Sequence, residues 1–169
     1  IHRGMYDLSN QATKKFENAR TQTARFLGCN NADTIAFTQG TTASINIVAQ
    51  SFLAPRLQVG DNIVTTIMEH HANFIPWQML AQKHQIELRV APMNEDGDLD
   101  LIELKSLIDH KTQLLAVTHI SNTLGTIHPL DEITKLAKNK EIPILIDAAQ
   151  SACHFEIGVD SLNCDFLTF

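Results

Sequence analysis

The sequence alternates short, largely apolar runs with helical segments, and this alternation constrains the fold more than any other feature. Thr112 to Thr118 (TQLLAVT) has an apolar centre and Ile142 to Ile146 (IPILI) is fully apolar, as expected of strands that are buried on both faces. A helix is predicted between them, from Leu130 to Asn139. Strands that alternate with helices predict an α/β fold, with a three-layer αβα arrangement around a mostly parallel sheet.

The remaining segments continue this alternation. An amphipathic helix is predicted from Ser9 to about Leu27, ending at Gly28. The other predicted strands are Thr34 to Phe37, Asn62 to Ile67, Ile86 to Ala91 and Asp165 to Phe169, and the other predicted helices are residues 43–53, Pro76 to His84 and Leu101 to Ile108. Residues 94–97 have turn chemistry. Because no repeat or linker interrupts the pattern, residues 1–169 are predicted to form a single domain.

Composition narrows the classes of function. The formal net charge is -6, which argues against a general nucleic-acid binder because phosphate contacts need clustered Lys and Arg. No apolar run reaches the roughly 18 residues of a membrane span, and the opening residues lack the apolar core of a secretory signal. The three cysteines, Cys29, Cys153 and Cys164, have no CxxC spacing, so we interpret them as small buried hydrophobic residues in a reducing compartment such as the cytoplasm.

Polar residues collect directly after predicted strands, at residues 40–42, 69–73, 119–122 and 147–150. In open α/β sheets the ligand site lies outside the carboxyl ends of the strands. These four clusters therefore predict a ligand-binding site at one edge of the sheet.

The first of these clusters, Gly40-Thr41-Thr42, lies where a strand meets a helix. Backbone N–H groups at a helix start, together with two hydroxyl groups, form an anion cradle suited to a phosphate. A helix cap without any ligand is the alternative interpretation.

Asp147 follows a buried apolar strand, where an isolated carboxylate is costly unless a partner meets it. A pyridinium N–H is such a partner and would keep the ring protonated as an electron sink, whereas helix capping or an Arg partner is the alternative. Gln150 is placed to reach a polar edge of the same ligand. Asn122 is placed to donate to a phenolic oxygen or a substrate carboxylate, unless it serves only as a turn residue.

The dyad His70-His71, with Glu69 before it, raises the question of a metal site. Adjacent histidines on an extended segment point to opposite sides, and the i, i+4 spacing of a helical zinc motif is absent. One histidine is instead suited to stack on a flat ring and to act as acid or base, since imidazole titrates near neutrality. A structural role with satisfied hydrogen bonds is the expectation for the other histidine, and no metal is predicted.

Several longer segments of the sequence carry a family resemblance: FTQGTTASINIVAQS, MEHHANFIPWQ, THISNTLGTIHPL and IDAAQSACH with CDFLTF after it. Taken together, they resemble the fold-type I pyridoxal-phosphate (PLP) enzymes of the class V aminotransferase group, and within it the cysteine desulfurases, also described as selenocysteine lyases. EHHAN and SNxLGT are the most specific, and the matches run in the expected order over essentially the whole chain. The HRG at residues 2–4 is similar to a family segment near the active site.

The resemblance implies a role for each predicted residue within a large PLP-binding domain. It implies that His70 is the catalytic residue, which stacks on the ring and helps proton transfer, and that Asp147 bonds the pyridine nitrogen. It also implies that Gln150 lies near the phenolic oxygen and that Asn122 lies near the cofactor and the substrate carboxylate. The phosphate is then held by Thr41 and Thr42. The implied substrate is L-cysteine or selenocysteine, which yields alanine while a cysteine nucleophile takes the sulfur as a persulfide. The implied partners are a sulfur-acceptor protein of iron–sulfur cluster assembly and a second subunit in a homodimer.

The sequence departs from the family pattern in one respect. The resemblance places the Schiff-base lysine a few residues beyond Phe169, and the nucleophilic cysteine and a substrate-binding arginine further on. We therefore expect a fragment that is inactive alone and holds PLP non-covalently or not at all. Two alternatives stay open: a class V lyase of other specificity, and a non-catalytic binding or dimerisation module that keeps the fold.

Overall fold

A five-stranded sheet forms the centre of the computed structural model, which describes Gly4 and residues 6–169. The strand order is β2-β1-β3-β4-β5, and each neighbouring pair is parallel. The strands are β1 (Asn62–Thr66), β2 (Glu87–Ala91), β3 (Thr112–Thr118), β4 (Ile144–Asp147) and β5 (Phe166–Thr168). Because parallel strands share one direction, their carboxyl ends meet at one edge of the sheet.

Helical segments connect the strands. The α-helices are α1 (Asp7–Phe26), α2 (Thr41–Ile47), α3 (Ile75–His84), α4 (Leu101–Leu107), α5 (Leu130–Asn139) and α6 (Val159–Leu162). Helix α2 continues into a π-helical stretch, Val48–Leu53, and short 3₁₀ turns occur at Ala32–Thr34, Ala54–Arg56 and His71–Asn73. No helix in the described part of the chain is both long enough and apolar enough to cross a bilayer.

Two apolar clusters cover the two faces of the sheet. Successive strand residues point to opposite faces, so Leu114 packs in one cluster and Leu115 in the other. The face of Leu115 is covered by side chains of α4, α5 and α6, such as Ile133, while Trp77 of α3 and Ile45 of α2 cover the opposite face. The predicted three-layer αβα fold with a parallel sheet is confirmed.

Most predicted elements are confirmed within a few residues, but the predicted strand at Thr34 to Phe37 is wrong. This segment leaves its 3₁₀ turn in extended geometry at Ile35, yet it pairs with no strand among the described residues. A cavity of about 390 Å³ separates it from β5, and Phe37 packs edge-on against Phe16 of α1, with ring centroids 5.3 Å apart. Extended residues form a strand only where a neighbour supplies the hydrogen bonds.

Two smaller corrections have local causes. The strand predicted from Ile142 begins at Ile144, since Pro143 has no N–H to donate; its carbonyl still accepts from the Leu115 N–H over 2.9 Å.

The interpretation of every cysteine as buried is also wrong. Cys153 is exposed in the turn after β4, and the other two are half-buried. Most of the HRG segment at residues 2–4 lies outside the described residues.

Candidate active site

A cavity of about 290 Å³ opens at the carboxyl edge of the sheet. It is lined by all six residues that the sequence predicts for the site, namely Thr41, Thr42, His70, Asn122, Asp147 and Gln150. The lining also includes Gln39, Gly40, Ala72, Thr118, Ile120 and Ala149. The four polar clusters of the sequence therefore meet around one cavity.

Asp147 is the last residue of β4 and forms the floor of this cavity, with only 4% of its surface exposed. Its Oδ1 atom accepts a 2.9 Å hydrogen bond from the Ala149 N–H, whereas Oδ2 receives none from the described residues. Burial raises the pKa of Asp147, and the Ala149 N–H and nearby His70 oppose the rise. A cationic donor in the cavity would stabilise this carboxylate in its ionised form.

His70 precedes the 3₁₀ turn His71–Asn73 and is exposed to the cavity. Its Nδ1 atom accepts a 3.1 Å hydrogen bond from the Ala72 N–H. Since an acceptor nitrogen carries no proton, this bond selects the tautomer with the proton on Nε2. Nε2 is thereby left to exchange a proton with a ligand, while the neighbouring His71 is exposed and lies outside the cavity lining.

The start of α2 forms the opposite wall. Gly40 has φ 126° and ψ 175°, a conformation that favours glycine. Its carbonyl accepts the Ser44 N–H over 3.0 Å, so the N–H groups of residues 41–43 precede the first intrahelical bond. These N–H groups and the hydroxyls of Thr41 and Thr42 form a concave donor surface suited to an anion.

Asn122 and Gln150 reach the cavity from loops. Asn122 lies within the loop after β3, which an antiparallel bridge between Ile120 and Ile127 closes. Both polar side chains are exposed, and both line the cavity together with Asp147. Two flexible amide groups beside a fixed carboxylate can orient the polar edges of a flat ligand.

A hydrogen-bonded chain behind His70 is the main feature that sequence reasoning missed. Glu69 accepts from Thr66 Oγ1 over 2.7 Å, from Asn73 Nδ2 over 2.6 Å and from the Thr118 N–H over 2.9 Å. Asn73 Oδ1 in turn accepts from Trp77 Nε1 over 3.1 Å. The sequence contained one signal for this hydrogen-bonded chain, which is the i, i+4 spacing of residues 69, 73 and 77. This spacing brings the three side chains together when the segment adopts helical turns.

The surroundings of the Glu69 carboxyl group raise its pKa. Part of the residue surface remains exposed, but the carboxyl group is desolvated by the surrounding protein, and this burial raises its pKa to about 8. Its three donors oppose the rise, while the negative charge of Asp147 adds to it. Burial is the larger effect, so this carboxyl group favours its protonated form more than an exposed glutamate does.

Two histidines on the far side of β3 are held neutral. His128 is buried, and its Nδ1 atom lies 2.8 Å from the Thr118 carbonyl oxygen. Burial lowers the pKa of both His128 and His119. A lowered pKa favours the neutral imidazole, so His119 and His128 do not supply Asp147 with a cationic partner at neutral pH.

The fold and the cavity define the class of protein: a parallel α/β domain with a polar cavity at the carboxyl edge of its sheet, lined by the start of a helix, a buried carboxylate and a histidine. The family model for aminotransferase class-V matches residues 1–169. The chain belongs to this family.

Among individual proteins, the chain is similar to cysteine desulfurases. The chain is 49% identical over 169 residues to a cysteine desulfurase of Serratia proteamaculans and 46% identical to one of Salmonella typhimurium, spanning 42% of the length of each. It superposes on the apo cysteine desulfurase of Thermococcus onnurineus with a TM-score of 0.92 and 42% identity, covering 98% of this chain and 41% of that one. The E. coli cysteine desulfurase CsdA gives 0.88 at 36% identity, with 99% and 42% covered.

Proposed function

We propose that this chain is the cofactor-holding part of a PLP-dependent cysteine desulfurase. The single observation that carries the proposal is the buried Asp147 carboxylate, which lines the cavity and whose Oδ2 atom accepts no hydrogen bond from the described residues. A protonated pyridine nitrogen supplies a donor for it. The N–H cradle at the start of α2 matches the phosphate of the same molecule in charge, so the residues present fit the cofactor.

When bound, PLP supplies an electron sink for the carbon atoms of an amino acid. Asp147 would keep the proton on the ring nitrogen, and Thr41 and Thr42 would hold the phosphate. His70 would pack on the ring face and would move a proton through Nε2. Asn122 and Gln150 would orient the substrate carboxylate and the phenolic edge, and Asn122 would contact the substrate directly.

The proposed reaction takes L-cysteine to L-alanine. A cysteine thiolate of the full-length gene product attacks the substrate sulfur, the carbon–sulfur bond breaks, and the carbon takes up a proton, which leaves a persulfide on the enzyme. None of Cys29, Cys153 and Cys164 lines the cavity, so we assign the nucleophile to none of them. We further propose a cytoplasmic homodimer that passes the sulfur to an acceptor of iron–sulfur cluster assembly, with these residues forming part of one larger PLP-binding domain.

Substitution of Asp147 in the full-length gene product tests this function. Because the ring nitrogen loses its anionic partner, Asp147→Ala should lower cysteine-dependent release of sulfide and alanine by at least about a hundredfold. Asp96→Ala, in an exposed turn, is the matched control and should retain the wild-type rate. An Asp147→Ala variant with full turnover would falsify the proposal, and parallel assays with selenocysteine decide between desulfurase and selenocysteine lyase.

A further inference from the structure

We propose that Glu69 is a positioning residue that holds the turn carrying His70 against the sheet, so that the imidazole stays fixed beside Asp147. The role assigned to His70 rests on the proposed function. Glu69 does not line the cavity, so its effect on the reaction must pass through the backbone and side chains that it holds. The arrangement of its hydrogen bonds supports this role.

The Glu69 carboxyl group joins three separate parts of the chain. Thr66 belongs to the end of β1, Thr118 to the end of β3, and Asn73 to the 3₁₀ turn beyond His70. The Asn73 N–H also donates to the His70 carbonyl oxygen over 2.8 Å. The segment from residue 69 to residue 73 is therefore closed on itself and pinned to two neighbouring strands.

The direction of the Glu69–Asn73 bond is determined by Trp77. An indole N–H can only donate, so Asn73 must turn its oxygen to Trp77 and its NH₂ group to Glu69. Trp77 and Asn73 are both fully buried, which leaves no water to replace a lost partner. The chain of bonds thus anchors the His70 turn to the first part of α3.

Glu69 has no cation to justify its burial on electrostatic grounds. None of the ion pairs among the described residues includes it, and an unpaired buried carboxyl is costly. The carboxyl group is instead satisfied by its three hydrogen bonds, and Thr66 Oγ1, which donates to Oε1, also accepts from the Met68 N–H over 3.2 Å. These three hydrogen bonds, rather than an ion pair, hold the turn against the ends of β1 and β3.

The test compares variants of the full-length gene product. Glu69→Gln keeps the shape of the side chain but turns an NH₂ group toward the NH₂ group of Asn73. Glu69→Gln combined with Asn73→Asp reverses that bond and still offers an oxygen to Trp77. Glu95→Gln, on an exposed turn, is the matched control. The readouts are kcat and KM for cysteine, the NMR signals of the His70 ring in the cofactor-free protein (assigned with His70→Ala), and the urea midpoint.

We expect Glu69→Gln to lower kcat about tenfold to a hundredfold, with KM nearly unchanged, because the imidazole is displaced from its reacting position. The His70 ring signals should shift, the double variant should recover most of kcat and the signals, and Glu95→Gln should match wild type. Unchanged kcat and His70 signals in Glu69→Gln overturn the proposal. So does a lowered urea midpoint with unmoved His70 signals, or a double variant that recovers nothing.

This design separates the inference from the proposed function. If the wild-type protein does not release sulfide from cysteine, the desulfurase assignment fails. The His70 signals of the cofactor-free variants still show whether Glu69 holds that ring in place.

Discussion

The indole Nε1 of Trp77 donates a 3.1 Å hydrogen bond to Oδ1 of Asn73, and both side chains are fully buried. This contact ties α3 to the turn that carries His70, on the face of the sheet opposite the α5 layer. Because α3 is packed in the apolar core, this bond also restrains the polar turn that carries His70. The stability and the site geometry are therefore coupled at this position.

Trp77→Phe should destabilise the protein. The substitution leaves Asn73 Oδ1 buried without its Trp77 donor and opens space within the apolar cluster that contains Trp77, at a cost of about 1 to 3 kcal/mol for the unsatisfied oxygen alone. Urea denaturation measures the effect, and Trp77→Phe combined with Asn73→Leu should recover part of the loss because no polar group remains unpaired. An unchanged free energy of unfolding in Trp77→Phe would contradict the role of this bond.

The stability of the protein should depend on pH through Glu69. Its pKa rises from 4.5 to about 8 on folding, so the folded state binds more protons than the unfolded state within this range. The contribution of Glu69 is complete below pH 4.5 and is lost as the pH rises through 8. The slope of unfolding free energy against pH should be less negative in Glu69→Gln and unchanged in Glu95→Gln.

Asp109 should give the opposite dependence. Its carboxylate accepts hydrogen bonds from Arg89 Nη1, the Lys111 N–H and Asn62 Nδ2, and Arg89 is the main cause that lowers its pKa. Its contribution is present above its usual pKa of 3.8 and is lost as the pH falls further. Asp109→Asn should cost on the order of 1 kcal/mol at pH 7, allowing for solvent screening.

Acid titration of the same variant provides the check. The difference between Asp109→Asn and wild type should shrink as the pH is lowered, because protonation removes the charge in the wild type as well. Asp96→Asn lies in an exposed turn and should track wild type at every pH. A difference that stays constant down to strongly acidic pH would rule out the Arg89 ion pair as its source.

Gly40→Ala should weaken cofactor binding. A Cβ at this position meets no described atom within 4 Å, so the penalty arises from the backbone, whose φ of 126° costs a non-glycine residue about 1 to 3 kcal/mol. Relaxation of this strain rotates the N–H groups of the cradle. Gly97→Ala is the matched control, because its φ is 84° with equal space around it, but it does not line the cavity.

Equilibrium dialysis with PLP distinguishes the two glycine variants. Both should lose similar stability, whereas only Gly40→Ala should raise the dissociation constant for the cofactor. Equal affinity in the two variants would mean that the start of α2 does not bind the phosphate.

Sequence reasoning predicted most of the fold because its signals are local. The apolar run of residues 112–118 and the polar residue that ends β4 depend only on neighbours along the chain, as does the helix that follows Gly40. Adjacent side chains and backbone propensity impose these patterns before any distant contact forms. The lining of the cavity followed from the same logic, since parallel strands bring their carboxyl ends together.

Tertiary structure decided what depends on distant partners. Residues 34–37 have a composition typical of a strand, but no described strand pairs with them, and residues 34–36 line a cavity instead. The raised pKa of Glu69 likewise depends on its burial at the end of β3, where it contacts Thr118, 49 residues away along the chain. By itself, the sequence determined the strands, the helices and the polar residues at the strand ends. Only the assembled sheet determined which of those residues lose water, and desolvation sets their charge.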